Sequence, residues 1–142
     1  MARGSVPSAS ASAALSCSNW RADRAPLRAA VSVHGVLSTT APAAVGGVLV
    51  SLLVLTGADD PLVPADQVAA FAQEMRAAEV ADWQVISYGN VRHGFTNPSA
   101  DGSLLPSARY DARASARAWA AVQGFLAEVL AAEAAGKARG RG

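Results

Sequence analysis

The sequence has little that would support a disulfide framework, a metal centre or a membrane span. A single cysteine, Cys17, excludes an intramolecular disulfide, and with only two histidines no zinc-ligand spacing is present. The most apolar run, Val45–Leu55, is too short for a membrane-spanning helix, which needs roughly 20 residues. We therefore expect no metal, no cofactor and no membrane segment, and the lone cysteine suits a reducing compartment.

The chain also lacks a strong charge of one sign. Its formal net charge is +1, and three of its cations, Lys137, Arg139 and Arg141, lie in the last six residues. Removing these three from the total leaves −2, so no basic stripe is present to bind nucleic acid. We interpret residues 132–142 as a flexible basic tail.

Residues 1–28 are rich in serine, alanine and arginine, with Asp23 as their only acidic residue. They lack the hydrophobic segment of a secretory signal. We expect a disordered leader, and the composition also suits an organellar transit peptide. The expected compartment is the cytoplasm, or an organelle if this leader is a transit peptide.

From residue 29 onward the apolar residues form short runs that predict a small α/β domain. Near-continuous apolar runs at 29–33 and 49–56 are typical of parallel strands covered on both faces, and residues 82–88 are predicted as a third strand. Apolar residues at helical spacing predict helices at about 65–78 and 111–130. The order β, β, α, β, α indicates a parallel sheet flanked by helices.

Two residues that could carry chemistry follow neighbouring strands of this sheet. Asp60 follows the second strand and His93 follows the third, with a helix between them. A βαβ crossover makes these strands parallel, so both residues should emerge at the carboxyl edge, where open α/β sheets place their sites. A carboxylate there can orient an imidazole. Each residue also has a simpler interpretation, because Asp60-Pro61 can set a turn and a loop histidine can be solvated.

The motifs around these two residues resemble those of the dienelactone hydrolase family. Gly57, Asp60, Val63 and Pro64 form a G-x-x-D-x-x-V-P pattern similar to the acid loop of that family. The stretch HGFTNP, residues 93–98, resembles the loop that carries the triad histidine. The strand-and-loop AVSVHGVLSTTAP and the final helix extend the resemblance over about residues 27–130.

The resemblance implies a partial doubly wound α/β-hydrolase fold, made of the C-terminal strands and helices of a mostly parallel sheet, over residues 29–131. It implies hydrolysis of a small-molecule ester or lactone by a Cys/Ser-His-Asp triad, in which Asp60 orients His93 and His93 acts as general base and acid. Asp59 is the competing acid, and the G-x-x-D spacing favours Asp60.

The nucleophile of such a triad is not recognisable. The family carries it between glycines on a sharp strand-to-helix turn, whereas Cys17 has no flanking glycine and no preceding apolar strand. His34, at the end of the first strand, is expected to be structural. We interpret the chain as a fragment, a splice form or a mis-started gene model, inactive or weakly active alone.

The alternative function is a non-catalytic remnant that binds a partner through an open sheet edge. The particular substrate and the oligomeric state stay open at this point.

Overall fold

The computed structural model describes residues 27–139, with the backbone alone for residues 133–139. It contains a three-stranded sheet and two helices: β1 (Ala29–Val33), β2 (Ser51–Gly57), α1 (Ala65–Ala77), β3 (Trp83–Tyr88) and α2 (Ala112–Arg139). Cys17, most of the leader assigned to residues 1–28, and residues 140–142 of the tail lie outside the described residues.

The sheet is parallel throughout, in the order β1-β2-β3. Val31 is paired with Leu53, and Leu53 is paired with Gln84 on the other side. The predicted α/β class with three parallel strands is therefore confirmed. Since the carboxyl ends of parallel strands meet at one edge, the loops after all three strands lie along the same side of the sheet.

β2 is the central strand, and its side chains enter two separate apolar cores. Leu52 and Val54 belong to the core that contains Phe71 and Met75 of α1. Leu53 and Leu55 belong to the opposite core, which contains the buried face of α2. Successive strand side chains point to opposite faces, so an unbroken apolar run is what a central strand between two helical layers requires.

α1 begins directly after Pro64, which occupies the N-cap position and donates no N–H. The buried residues Phe71 and Met75 are four positions apart and therefore lie on one face of the helix. The helix ends at Ala77, and Glu79 adopts a φ of 55° before the chain turns into β3.

The observed bounds differ slightly from the predicted ones. β1 matches its prediction, β2 and β3 begin one or two residues later, and α1 ends one residue earlier. α2 extends to Arg139 rather than ending near residue 130. The added turns consist largely of alanine, glutamate, lysine and arginine, which have high helix propensity, and contain no proline. The assignment of residues 132–142 to a separate tail stays a prediction.

Over the described range, 27–139, no helix combines the length and the apolar character needed to cross a membrane.

Candidate active site

The loop after β2 presents Asp60 as a buried, oriented carboxylate. Asp60 is 2% exposed, and its Oδ1 accepts the backbone N–H of Leu62 at 2.9 Å. The backbone of the same residue closes two short turns, donating to Gly57 at 3.3 Å and accepting from Val63 at 3.1 Å. The short turn therefore fixes the carboxylate and leaves Oδ2 for another partner.

That partner is His93, whose Nδ1 lies 2.8 Å from Asp60 Oδ2. The side chain of Asp60 is fully buried and that of His93 is 20% exposed. With Oδ2 accepting the Nδ1–H, the imidazole is held in the tautomer whose Nε2 carries a lone pair. Among residues 27–132, whose side chains are described, none hydrogen-bonds to that Nε2.

The backbone on both sides of His93 is fixed by the returning limb of its own loop. The N–H of His93 donates to the Ser107 carbonyl at 3.1 Å, and its carbonyl accepts from Arg109 at 2.9 Å. Gly94, the next residue, adopts a φ of 64°, a conformation that costs glycine little. The long loop between β3 and α2 is thus held around the histidine by its own backbone hydrogen bonds.

The next apolar residue anchors this loop in the core. Phe95 is fully buried within the α2-side core, and its ring contacts Tyr88 at the end of β3 with centroids 5.5 Å apart. Its carbonyl accepts the N–H of Asp111, the residue that precedes α2. Partial burial of Tyr88 raises the pKa of its phenol above its usual value.

A close backbone approach joins the acid loop to the histidine loop. The N–H groups of Ala58 and Asp59 donate to the carbonyls of Tyr88 and Val91, at 2.8 and 3.0 Å. At Gly57 a Cβ atom would overlap the Val91 carbonyl, so a side chain there would push the two loops apart. The glycine of the G-x-x-D pattern is explained by this contact.

The neighbouring acid, Asp59, does not take the place of Asp60. Asp59 is exposed, and the hydrogen bond to the imidazole is made by Asp60. The structure therefore brings together the two residues that the sequence analysis selected as catalytic candidates, which lie 33 positions apart in the chain.

A third residue, His34, also lies at this site, although the sequence analysis gave it only a structural role. Its ring centroid is 5.1 Å from that of His93 and 5.7 Å from that of Phe95, with edge-to-face geometry in both pairs. Its Nε2 lies 3.1 Å from Thr96 Oγ1. Burial, and then the positive charge that His93 can carry, lower the pKa of His34 below its usual value, so the ring favours the neutral form.

The sequence contained one signal that could have identified His34. It directly follows β1, at the same carboxyl edge of the sheet where Asp60 and His93 follow β2 and β3. All three strands are parallel and adjacent, so all three following residues belong to one site.

The described residues contain no group of three or more histidine, cysteine, aspartate or glutamate side chains that could hold a metal ion. The polar side chains that the structure brings together at the site are those of Asp60, His93, His34 and Thr96. What this arrangement can do chemically is move a proton at His93 Nε2 and stabilise the resulting imidazolium through Asp60.

Comparison with known proteins shows which family this chain is similar to. The model of the dienelactone hydrolase family matches residues 14–130. A crystal structure of a dienelactone hydrolase-like promiscuous phosphotriesterase from metagenomic libraries is 39% identical, with a TM-score of 0.66 over 81% of this chain. The solved structure of a protein named m3DLH is 36% identical, with a TM-score of 0.68 over 81% of this chain.

A more distant structure shares the fold. The crystal structure of a protein described as a dienelactone hydrolase from Klebsiella pneumoniae is 23% identical, with a TM-score of 0.55 over 71% of this chain. No curated protein gave a significant match. This chain covers 46%, 45% and 42% of the three solved chains, and thus spans slightly less than half of their length.

Proposed function

Because this chain belongs to the dienelactone hydrolase family, we propose that Asp60 and His93 are the acid and base of a triad that hydrolyses carboxylic ester or lactone bonds. The observation that carries the proposal is the 2.8 Å hydrogen bond between His93 Nδ1 and the fully buried carboxylate of Asp60. A buried acid paired with a partly exposed imidazole is the arrangement that general-base catalysis needs.

In the proposed reaction His93 Nε2 removes the proton from a cysteine thiol or serine hydroxyl supplied by a segment outside the described residues. The nucleophile adds to the ester carbonyl, and the tetrahedral intermediate expels an alkoxide that takes the proton from the imidazolium. His93 then deprotonates a water molecule, which attacks the acyl-enzyme. The second tetrahedral intermediate releases the carboxylic acid, and the departing nucleophile takes the proton back from the imidazolium. Asp60 keeps its own charge throughout and stabilises the imidazolium in both steps.

Cys17 is the one cysteine of the sequence, and it lies within the range that the family model matches. Its lack of flanking glycines argues against a nucleophile on a sharp strand-to-helix turn. We therefore propose that the acid–base pair of this chain is functional only when a separate nucleophile segment completes the site.

A chimera tests this proposal. Residues 27–139 would replace the matching part of the 39%-identical phosphotriesterase, which keeps its own remaining half. We expect hydrolysis of a p-nitrophenyl ester, lost in His93→Ala, strongly reduced in Asp60→Asn and retained in Asp59→Asn, the matched control. Turnover that survives His93→Ala would contradict the proposal. A phosphotriester belongs among the substrates tested, since that relative is described as hydrolysing this class.

A second candidate, a non-catalytic binding module, is favoured by the position of β1. In the described part of the chain β1 pairs with β2 on one side only, and a strand edge of this kind can pair with an added strand. The chimera distinguishes the two candidates, because a binding module would restore no turnover.

A further inference from the structure

We propose that His34 is a positioning residue that holds the His93 imidazole in the orientation in which its Nδ1 faces Asp60. This inference rests on the proposed function and adds a third residue to the acid–base pair. His34 contacts the base rather than the substrate, so its role would be exerted through His93.

The backbone of His34 is held in place independently of its ring contacts. Its N–H donates to the Leu55 carbonyl at 2.8 Å, which extends the pairing of β1 with β2 by one residue. The residue adopts a φ of 44°, in the left-handed region that is uncommon for side chains other than glycine, asparagine, aspartate and histidine. This turn in the backbone directs the ring toward the histidine loop, where its contacts are made.

The ring then connects β1 to the loop that carries the base. Its Nε2 lies within hydrogen-bonding distance of Thr96 Oγ1, a residue 62 positions away in the sequence and three residues after His93. The same ring packs edge-to-face on His93 and on Phe95. A single imidazole therefore contacts two rings of the histidine loop, those of the residues that flank Gly94 in the sequence.

These contacts restrain the part of His93 that Asp60 does not reach. The carboxylate fixes Nδ1, but an imidazole held at one atom can still swing about that hydrogen bond. A second ring 5.1 Å away at an interplanar angle of 68° limits that motion. His93 is thereby held by Asp60 at one nitrogen and by His34 across its ring.

The neutral state of His34 suits this role. The titratable groups that face its ring are His93 and Asp60, of which His93 disfavours its protonation and Asp60 favours it. Burial is the largest effect and disfavours protonation. A neutral ring adds no like charge beside His93 when that residue becomes an imidazolium, and it packs without repelling it.

Nuclear magnetic resonance of the imidazole nitrogens tests the role directly, because the chain has only two histidines. Long-range proton–nitrogen spectra of the uniformly labelled chain give the tautomer of each ring, and the variant His34→Asn assigns the remaining signal to His93. The measured quantity is the rate at which the His93 Nδ1 proton exchanges with water. Asparagine tolerates the left-handed backbone, so this variant removes the ring with little backbone strain.

We expect His34→Asn to accelerate that exchange on the order of fivefold, because it removes the edge-to-face ring contact that limits the motion of His93. Thr96→Val, which keeps both rings and removes the hydroxyl, should accelerate it by a smaller factor. Thr39→Val is the matched control, because within the part of the chain that the structure describes the Thr39 hydroxyl hydrogen-bonds to the backbone of Ala41 alone. It should leave the rate unchanged.

Equal exchange rates in the wild-type chain, Thr96→Val and folded His34→Asn would overturn the inference while leaving the acid–base pair intact. If His34→Asn does not fold by circular dichroism, Thr96→Val decides the matter alone. A wild-type His93 without a protonated Nδ1 would overturn the acid–base pair itself, and the inference with it. The two failures are therefore distinguishable in one set of spectra.

Discussion

Gly57 and Val91 approach each other so closely that the last residue of β2 has no room for a Cβ atom beside the Val91 carbonyl. The contact joins the loop of Asp60 to the loop of His93. We expect Gly57→Ala to destabilise the chain by roughly 1–3 kcal/mol, because the backbone must shift to admit the methyl group. Denaturant unfolding measures this change.

The control is Gly89→Ala, since a Cβ at Gly89 meets nothing within 4 Å. This variant should stay close to the wild-type stability. Equal losses in both variants would show that the approach at Gly57 has no special role.

The two adjacent acids should respond differently to the same substitution. Asp60→Asn replaces a buried acceptor of two hydrogen bonds, from Leu62 N–H and His93 Nδ1, and should cost about 1–3 kcal/mol of unfolding free energy. Asp59→Asn changes an exposed side chain and should alter stability by less than about 0.5 kcal/mol. Thermal and urea unfolding of both variants tests the difference, and a reversed order would assign the acid to Asp59.

Alone, the chain should hydrolyse esters at close to the background rate. General-base catalysis typically raises the rate of a reaction by about 10²–10⁴-fold. That gain is found in enzymes that also position a nucleophile and stabilise an oxyanion, whereas the described part of this chain offers only the base and its acid partner. We expect equal, near-background rates for the wild-type chain, Cys17→Ala and His93→Ala with a p-nitrophenyl ester. Robust turnover abolished by Cys17→Ala would identify Cys17 as the nucleophile after all.

The lowered pKa of His34 predicts a pH dependence of stability. The unfolded chain binds a proton at His34 near the ordinary value of about 6.5, whereas the folded chain binds it only at lower pH. Between these two pKa values the unfolded state holds more protons, so the free energy of unfolding decreases as pH falls below about 6.5. The stabilising contribution of the neutral His34 ring is fully present above about pH 6.5.

His34→Asn should remove this contribution, which is measured by comparing urea unfolding of the two proteins at about pH 7.5 and at mildly acidic pH. The wild-type chain should lose more stability on acidification than the variant. An identical loss in both would exclude His34 as its source.

In a separate titration, His93→Asn should raise the pKa of His34, because the positive charge of His93 is one cause of its depression.

Asp111 should stabilise the start of α2. Its Oδ1 accepts the N–H of Ala114 at 2.7 Å, and its carbonyl accepts that of Ser115 at 2.8 Å, which is the N-cap arrangement. Asp111→Ala should cost about 1 kcal/mol, and Asp111→Ser should recover most of it, since serine also caps helices. Denaturant unfolding would contradict the assignment if serine were no better than alanine.

Much of the fold follows from local pattern. The apolar run of β2 predicts a strand covered on both faces, and the structure places Leu52 and Leu53 in opposite cores. The βαβ order predicts parallel pairing with β3, and hence the meeting of Asp60 and His93 at one sheet edge. These features are accessible because periodicity and chain connectivity are properties of the sequence itself.

The physical reason for choosing Asp60 over Asp59 is not visible in the local sequence pattern. The G-x-x-D pattern favoured Asp60, but its physical basis is that Asp60 is 2% exposed and turned toward His93 while Asp59 faces outward. A turn rotates neighbouring side chains to different sides, and their burial depends on what the rest of the chain places there. Residue type alone does not carry that information.

The sequence by itself determined the strands, their parallel order and the edge at which an acid and a base would meet. Only the tertiary structure decided that His34, which follows β1 at that edge, contacts the ring of His93. Its interactions with His93 and Thr96 join positions about 60 residues apart. Such contacts depend on the left-handed turn after β1 and on the depth at which Phe95 anchors the loop. Neither feature leaves a repeating hydrophobic pattern in the sequence. Each is fixed instead by packing between segments that are distant along the chain.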